Sequence, residues 1–282
     1  NARFLPIRQD DYVVINGDAE STLLSFLIGK MFRAKIVHIE AGIRSGSFFE
    51  PFPEELIRFI VSRNSDICFC PYQRDADNLL GKSGVYVTRG NTVFDSVRMA
   101  LEHSPSQKMK KLFTTKYVLF LIHRKENLMM KGRINQIIDI LTMILDRGFE
   151  VVWPIHTNTK YELTAKGIWE RIEKLQLRYP LHIQYFIDYI DFMHAVRHAK
   201  FVASDGGGLQ KETYFLNKPM LILRKITEIE PGVGDTAYLS KLDPDRVTYF
   251  LNRYKTFTRT QSIRTSPSMD IVDFFKKVSS AY

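Results

Sequence analysis

The sequence predicts an α/β protein built from two doubly wound domains, each a parallel sheet covered on both faces by helices. Three observations carry this reading. Apolar runs rich in β-branched residues alternate with helical patterns along the whole chain, as they do where strands are buried on both faces. The length of 282 residues fits one large or two medium domains, with 45% hydrophobic and 25% charged residues. A polar, proline-containing stretch, His103-Ser104-Pro105-Ser106-Gln107, then breaks the alternation in two. The expected domains are therefore 1–107 and 108–258, with a tail and terminal helix at 259–282 packing back across them.

In the first domain, strands are expected at 12–16, 35–39, 66–70 and 85–88, where short apolar runs such as Tyr12-Val13-Val14-Ile15 occur. The helical patterns between them cover 21–32, 53–62, 73–80 and 93–101, and Pro53 suits a first helical position because its φ is already fixed. In the second domain, strands are expected at 117–122, 150–153, 182–185, 201–204 and 219–223. Helices are expected at 134–145, 161–175, 190–197, 209–216 and 244–254, with a terminal helix at 271–279. The lysine cluster at 108–111 reads as a solvated connector.

Composition narrows the partners. The formal net charge is +9, from 40 Lys+Arg against 31 Asp+Glu. With no RNA-binding signature and no dense basic tract, this balance favours an anionic small molecule over nucleic acid. The two cysteines, Cys68 and Cys70, share one strand face and point parallel, a poor geometry for a disulfide. No further ligands stand at zinc-like spacing, so they read as buried thiols of a reducing cytosol. No apolar run reaches the length of a membrane span and no signal peptide is read, so a cytoplasmic protein without membrane contact is expected.

The densest chemistry lies in His38-Ile39-Glu40-Ala41-Gly42-Ile43-Arg44, continuing through Pro53-Glu54-Glu55 to Arg58. Glu40 follows a buried strand directly, at the carboxyl edge where open α/β sheets bind ligands. Glu54 and Glu55 fall in a first helical turn, where the dipole favours carboxylates, so Glu54 by itself reads as a cap or as a functional acid. Asp18 follows the first strand and reads either as an N-cap or as the partner of Glu40 in a carboxylate cluster that supplies an acid and a base. His123 closes the strand at 117–122 and is followed by Arg124 and Lys125, a group suited to a phosphate ester or leaving oxyanion. His156 repeats that placement one strand later. Ser204-Asp205-Gly206-Gly207-Gly208 is a strand end and glycine turn opening a helix, a place for a diphosphate, with Glu212 one turn on where it meets ribose hydroxyls. The spacing is not that of a dinucleotide fingerprint, so a nucleoside diphosphate is expected rather than NAD.

Taken together, these residues resemble the non-hydrolysing branch of the UDP-N-acetylglucosamine 2-epimerase family. The matching elements are Gly17-Asp18, His38-Ile-Glu-Ala-Gly-Ile-Arg44, Pro53-Glu-Glu55 with Arg58, Gly90-Asn-Thr-Val93 with Asp95, and His123-Arg-Lys-Glu126. Further along stand Pro154-Ile-His156 with Asn158, Asp205 with Gly207-Gly208 and Gln210, Glu212, Lys218-Pro219 and Thr227-Glu228. The resemblance implies a GT-B-like pair of Rossmann-like domains with the active site in the cleft. It implies elimination of UDP from UDP-GlcNAc and its re-addition to give UDP-ManNAc, for surface polysaccharide or glycan precursors. Asp18, Glu40 and Glu54 match the family's acid/base carboxylates, and His123 its catalytic histidine near the departing diphosphate. Arg44, Arg124, His156, the Gly206-Gly207-Gly208 turn and Glu212 match substrate-binding positions. No metal, nicotinamide or other cofactor is implied, and a homodimer is expected.

Three departures from the family pattern stand out. The opening strand, with its Gly-Thr-Arg-Pro-Glu motif, has no counterpart in these residues, so the first domain is expected to be incomplete at its N-terminus. Gly206 occupies the place of a serine, and Ile229 that of an arginine. A glycosyltransferase or hydrolysing epimerase on the same scaffold, or a non-catalytic UDP-sugar-binding protein, is the alternative.

Overall fold

The computed structural model describes residues 7–46, 52–112, 115–185, 187–227, 232–260 and 262–280. Close contacts divide the chain into two compact units, Asn1–Asp95 with Arg264–Tyr282, and Ser96–Ile263. Both are α/β with parallel sheets, as expected. The grouping differs from the expected limits for a packing reason. Val97, Ala100 and Met109 bury themselves in the core of the second unit, while the terminal helix packs on the first sheet.

The first unit alternates strands β1 (Tyr12–Asn16), β2 (Lys35–Ile39), β3 (Ile67–Cys70) and β4 (Val85–Val87) with helices α1 (Glu20–Met31), α2 (Glu54–Asn64) and α3 (Gln73–Asp77). The strands lie in chain order, all parallel. Their side chains alternate between faces. Ile15, Ile36 and the helical residues Phe26, Ile57 and Val61 form one layer, joined by Cys68 and Cys70 against Leu79. Val37 and Phe69 point the other way and are covered by the C-terminal helix α13 (Pro267–Ser279), with Phe274 edge-on to Phe69 at a centroid distance of 5.3 Å. Ser266 Oγ donates to Asp95 at 2.8 Å and Ser268 N to the same carboxylate at 2.8 Å, which fixes the start of that helix.

The second unit begins in α4 (Val93–Glu102), and α5 (Gln107–Leu112) occupies the stretch expected to be a solvated connector. Its sheet holds β5 (Val118–Leu121), β6 (Val151–Ile155), β7 (Leu181–Tyr185), β8 (Val202–Ser204), β9 (Met220–Ile222) and β10 (Ala237–Leu239). The order β10-β9-β8-β5-β6-β7 starts in the middle and winds outward both ways, which creates a switch point between β5 and β8. The helices are α6 (Lys125–Met129), α7 (Lys131–Asp146), α8 (Thr157–Ala165), α9 (Trp169–Arg178), α10 (Tyr189–His198), α11 (Gly207–Phe215) and α12 (Pro244–Arg253). Along β5, Val118 and Phe120 join the layer beneath α7 and α12, while Leu119 and Leu121 join the opposite layer with Met193 and Val196 of α10. Both faces are therefore buried, which explains the unbroken apolar run.

The helix expected over 161–175 is two helices, because Gly167 takes a left-handed φ of 69° and its N–H closes on the Thr164 carbonyl at 3.0 Å. The short β10 and α6, of 3 and 5 residues, are too brief to show a period in the sequence. Among the described residues no helix is long and apolar enough to cross a membrane.

Candidate functional site

Two constellations form at strand carboxyl ends, one in each unit. In the first unit, Asn16 pairs in register with Ile39, and the Gly17 N–H donates to the Ile39 carbonyl at 3.0 Å. The residues that follow, Gly17-Asp18 and Glu40, thus leave the sheet side by side. Glu40 holds a left-handed backbone with φ 64°, a conformation that costs a non-glycine residue about 1–2 kcal/mol and that the surroundings must enforce. Its carboxylate lies against Gly17, where a Cβ would stand 3.9 Å from Oε2.

Asp18 is not a helix cap. Helix α1 begins after Ala19 with no side-chain cap, and the Asp18 carboxylate forms an ion pair with Arg58 of α2. Arg58 also reaches Glu55 at 3.5 Å, and Glu55 pairs with Arg44 and accepts the Ser45 N–H at 3.1 Å. Glu55 is fully buried, and a buried carboxylate is tolerable only with such charged partners. Arg44–Glu55–Arg58–Asp18 is therefore one charge chain running from the loop after β2, through α2, to the end of β1. Glu54 opens α2 behind Pro53, the N-cap, and its Oε2 is buried without a hydrogen-bond partner among the described residues.

Behind these carboxylates sits His38, fully buried on β2. Its Nε2 contacts the Gly17 carbonyl at 2.9 Å and its Nδ1 the Ser62 hydroxyl at 3.2 Å. Burial holds its pKa below the ordinary 6.5, against the pull of the Gly17 carbonyl and the nearby Glu40 and Asp18 charges. Gly42, two residues beyond Glu40, is required twice over: its φ is 78°, and a Cβ would stand 2.1 Å from the Asp75 carbonyl oxygen.

In the second unit the organiser is Asp205, which follows β8 and is buried. It accepts the His123 N–H at 3.1 Å, the Arg124 N–H at 3.1 Å and the Asn127 amide at 3.0 Å, and its Oδ1 lies 3.4 Å from His123 Nδ1. One carboxylate at the switch point thus fixes the loop after β5. Burial lowers the His123 pKa below 6.5; Asp205 opposes this, while His156 and Arg124 add to it. The His123 and His156 rings lie 5.7 Å apart, and the Arg124 guanidinium pairs with Glu126 at 3.2 Å.

His123 and His156 line a cavity of about 460 Å³ with Tyr189, Gly208, Leu209 and Glu212. Gly206 caps α11, whose first residues are Gly207 and Gly208, so backbone N–H groups at a positive helix end open beside the imidazoles. Glu212 is nearly buried; burial raises its pKa above the ordinary 4.5, and a hydrogen bond with Tyr189 opposes the rise. Apolar walls, two imidazoles, a helix start and one inward carboxylate suit a nucleoside diphosphate, and the first unit's carboxylates suit proton transfer.

A model of the UDP-N-acetylglucosamine 2-epimerase family matches residues 2–270. The chain belongs to that family. It is 31% identical over 266 residues to the UDP-N-acetylglucosamine 2-epimerase homolog of Methanococcus maripaludis, covering 90% of this chain and 71% of the relative. It is also 31% identical to the UDP-N-acetylglucosamine 2-epimerase of Yersinia pestis, covering 81% of this chain. The chain spans 63% of that relative's length. The crystal structure of the UDP-GlcNAc 2-epimerase from Neisseria meningitidis bound to UDP-GlcNAc superimposes with a TM-score of 0.82 at 27% identity, over 95% of this chain and 76% of that one.

Within this epimerase-family chain, the predicted residues fall into two groups. Asp18 and Arg44 pair with side chains of α2, Glu40 lies beside Gly17, and Glu54 opens that helix. His123, Arg124, His156, Gly206, Gly207, Gly208 and Glu212 gather around the switch point. Ser62 and Tyr189 were not singled out in the sequence, and His38, Glu55, Arg58 and Asp205 stood in matched motifs without an assigned catalytic or substrate-binding role. For Arg58 and Asp205, only coordinates reveal that their groups bind backbone and side chains of distant segments. The Gly206 departure has a spatial counterpart, since a Cβ there would lie 2.9 Å from His123 Cε1. The Ile229 departure and Glu228 lie outside the described residues.

Proposed function

We propose that this chain is a UDP-GlcNAc 2-epimerase that interconverts UDP-GlcNAc and UDP-ManNAc. The observation that carries the reading is the pairing of chemistries. Adjacent carboxylates stand at the ends of β1 and β2, and a cavity with imidazoles and a glycine-started helix stands at the β5/β8 switch point. In the forward direction a carboxylate of the Asp18, Glu40 and Glu54 set removes the C2 proton, and the C1–O bond breaks with its electron pair leaving on the UDP oxygen. The products are the 2-acetamidoglucal and UDP. Re-addition of that oxygen to C1, with a proton returned to the opposite face of C2, gives the epimer. His123 and the N–H groups of Gly207 and Gly208 offset the charge developing on the departing diphosphate, and Glu212 accepts from the ribose. A neutral His123 suits this role, because it donates a hydrogen bond without needing a proton from solvent.

The same reading makes the protein a cytoplasmic homodimer that supplies precursors for surface polysaccharide or glycan synthesis. Incubation with UDP-GlcNAc in deuterium oxide tests the activity: UDP-ManNAc should appear with deuterium at C2. Free ManNAc would instead indicate a hydrolysing enzyme, sugar transfer to an acceptor a glycosyltransferase, and binding without turnover a non-catalytic receptor.

A further inference from the structure

We propose that His38 and Ser62 are positioning residues that lock the backbone carrying Asp18 and Glu40 onto helix α2. The inference rests on the epimerase reading for its kinetic part and on geometry for the rest. The Gly17 carbonyl can only accept, so His38 Nε2 carries the proton and donates to it at 2.9 Å. Nδ1 is then the acceptor and takes the Ser62 hydroxyl proton at 3.2 Å. Ser62 Oγ in turn accepts the Gly42 N–H at 3.1 Å. Every polar atom in this path has a defined direction, and both side chains are buried, with 0% and 2% exposure.

The path touches the three segments that matter. Gly17 immediately precedes Asp18. Gly42 follows Glu40 by two residues, across the left-handed turn at φ 64°. Ser62 lies on α2, which also carries Glu54, Glu55 and Arg58. A second tie holds Ser62 itself, whose carbonyl accepts from Cys68 Sγ on β3 at 3.2 Å. Without the relay the turn that carries Glu40 loses the tie from Gly42 to α2, and the carboxylate can shift relative to Asp18. Neither residue touches the reacting atoms, so the effect appears in placement rather than in binding.

The test uses the full chain and the variants Ser62→Ala, Ser62→Thr and His38→Gln. In Ser62→Ala, kcat and deuterium entry at C2 should fall about tenfold to a hundredfold, the scale of a small misplacement of a reacting group. KM for UDP-GlcNAc and the UDP Kd should stay within about twofold, since the nucleotide cavity lies in the other unit, and Ser62→Thr should restore most of the rate. Equal loss in Ser62→Ala and Ser62→Thr, or an unchanged rate in both Ser62→Ala and His38→Gln, overturns the proposal. An independent arm needs no turnover: ¹⁵N NMR should show His38 as the Nε2–H tautomer, and Ser62→Ala should speed amide exchange at Gly42. A different tautomer, or unchanged Gly42 exchange, overturns the relay even if the parent chain proves not to be an epimerase. Absence of C2 exchange in the parent, with these two signatures present, overturns the epimerase reading alone.

Discussion

At the residue scale, the placement of His123 hinges on what residue 206 lacks. A Cβ there would lie 2.9 Å from His123 Cε1, and the half-exposed ring is the party free to move. Gly206→Ser should therefore swing the imidazole away from Asp205, lowering kcat/KM about tenfold to a hundredfold while the melting temperature barely changes. An unmoved His123 Cε1–H resonance with an unchanged rate would refute this. His38 gives a second prediction through its titration. Its folded pKa is lowered, so below the ordinary 6.5 the unfolded chain takes up a proton that the folded chain refuses. This contribution to stability is intact at neutral pH and is lost as pH falls below 6.5 toward the folded value, so urea midpoints should decline over that range and His38→Gln should flatten the decline. Much at this scale was legible in the sequence: strand-end placement singled out Glu40, His123 and His156 without coordinates. What was hidden was division of labour among neighbours. Glu54 and Glu55 are alike in a sequence, yet the rotation of about 100° between neighbouring helical residues decides that Glu55 faces two guanidiniums while Glu54 opens the helix.

At the scale of elements, α2 is held by apolar burial on one face and by charge on another. Ile57 and Val61 face the sheet, but the same helix presents Glu55 and Arg58 to the loops after β2 and β1. Glu55→Gln removes the central anion and leaves Arg44 and Arg58 facing one another across a buried amide. The expected cost is about 3 kcal/mol, in line with breaking a buried ion pair, and it should be visible as a lowered midpoint in chemical denaturation. A change under about 0.5 kcal/mol would place the pair with ordinary surface salt bridges. Most strands and long helices were legible because their period matches their burial. The misreadings were local: Gly167 divides one expected helix into α8 and α9, and a lysine-rich stretch forms α5 because Met109 anchors it to the core.

For the whole molecule, the division into units is not a division of the sequence into halves. The second unit is continuous, Ser96–Ile263, and contains both large apolar layers, whereas the first is made of two segments, Asn1–Asp95 and Arg264–Tyr282. A chain ending at Ile263 should keep the UDP affinity proposed for the second unit but uncover Phe69, Val37 and Tyr12, so that a dye sensitive to exposed apolar surface binds strongly. Undiminished stability of the first unit in that truncation would show that α13 is dispensable. A terminal helix packing back was expected, but periodicity carries no mark of the sheet it will cover; Phe274 and Phe275 against Phe69 show it. The arrangement also orders events on the ribosome. The first sheet emerges early yet waits while about 170 further residues are made, roughly 10–30 s at ordinary elongation rates, before its cover arrives. The unit translated second is thus positioned to fold first, and the nascent first sheet is the segment for which a chaperone has most to do.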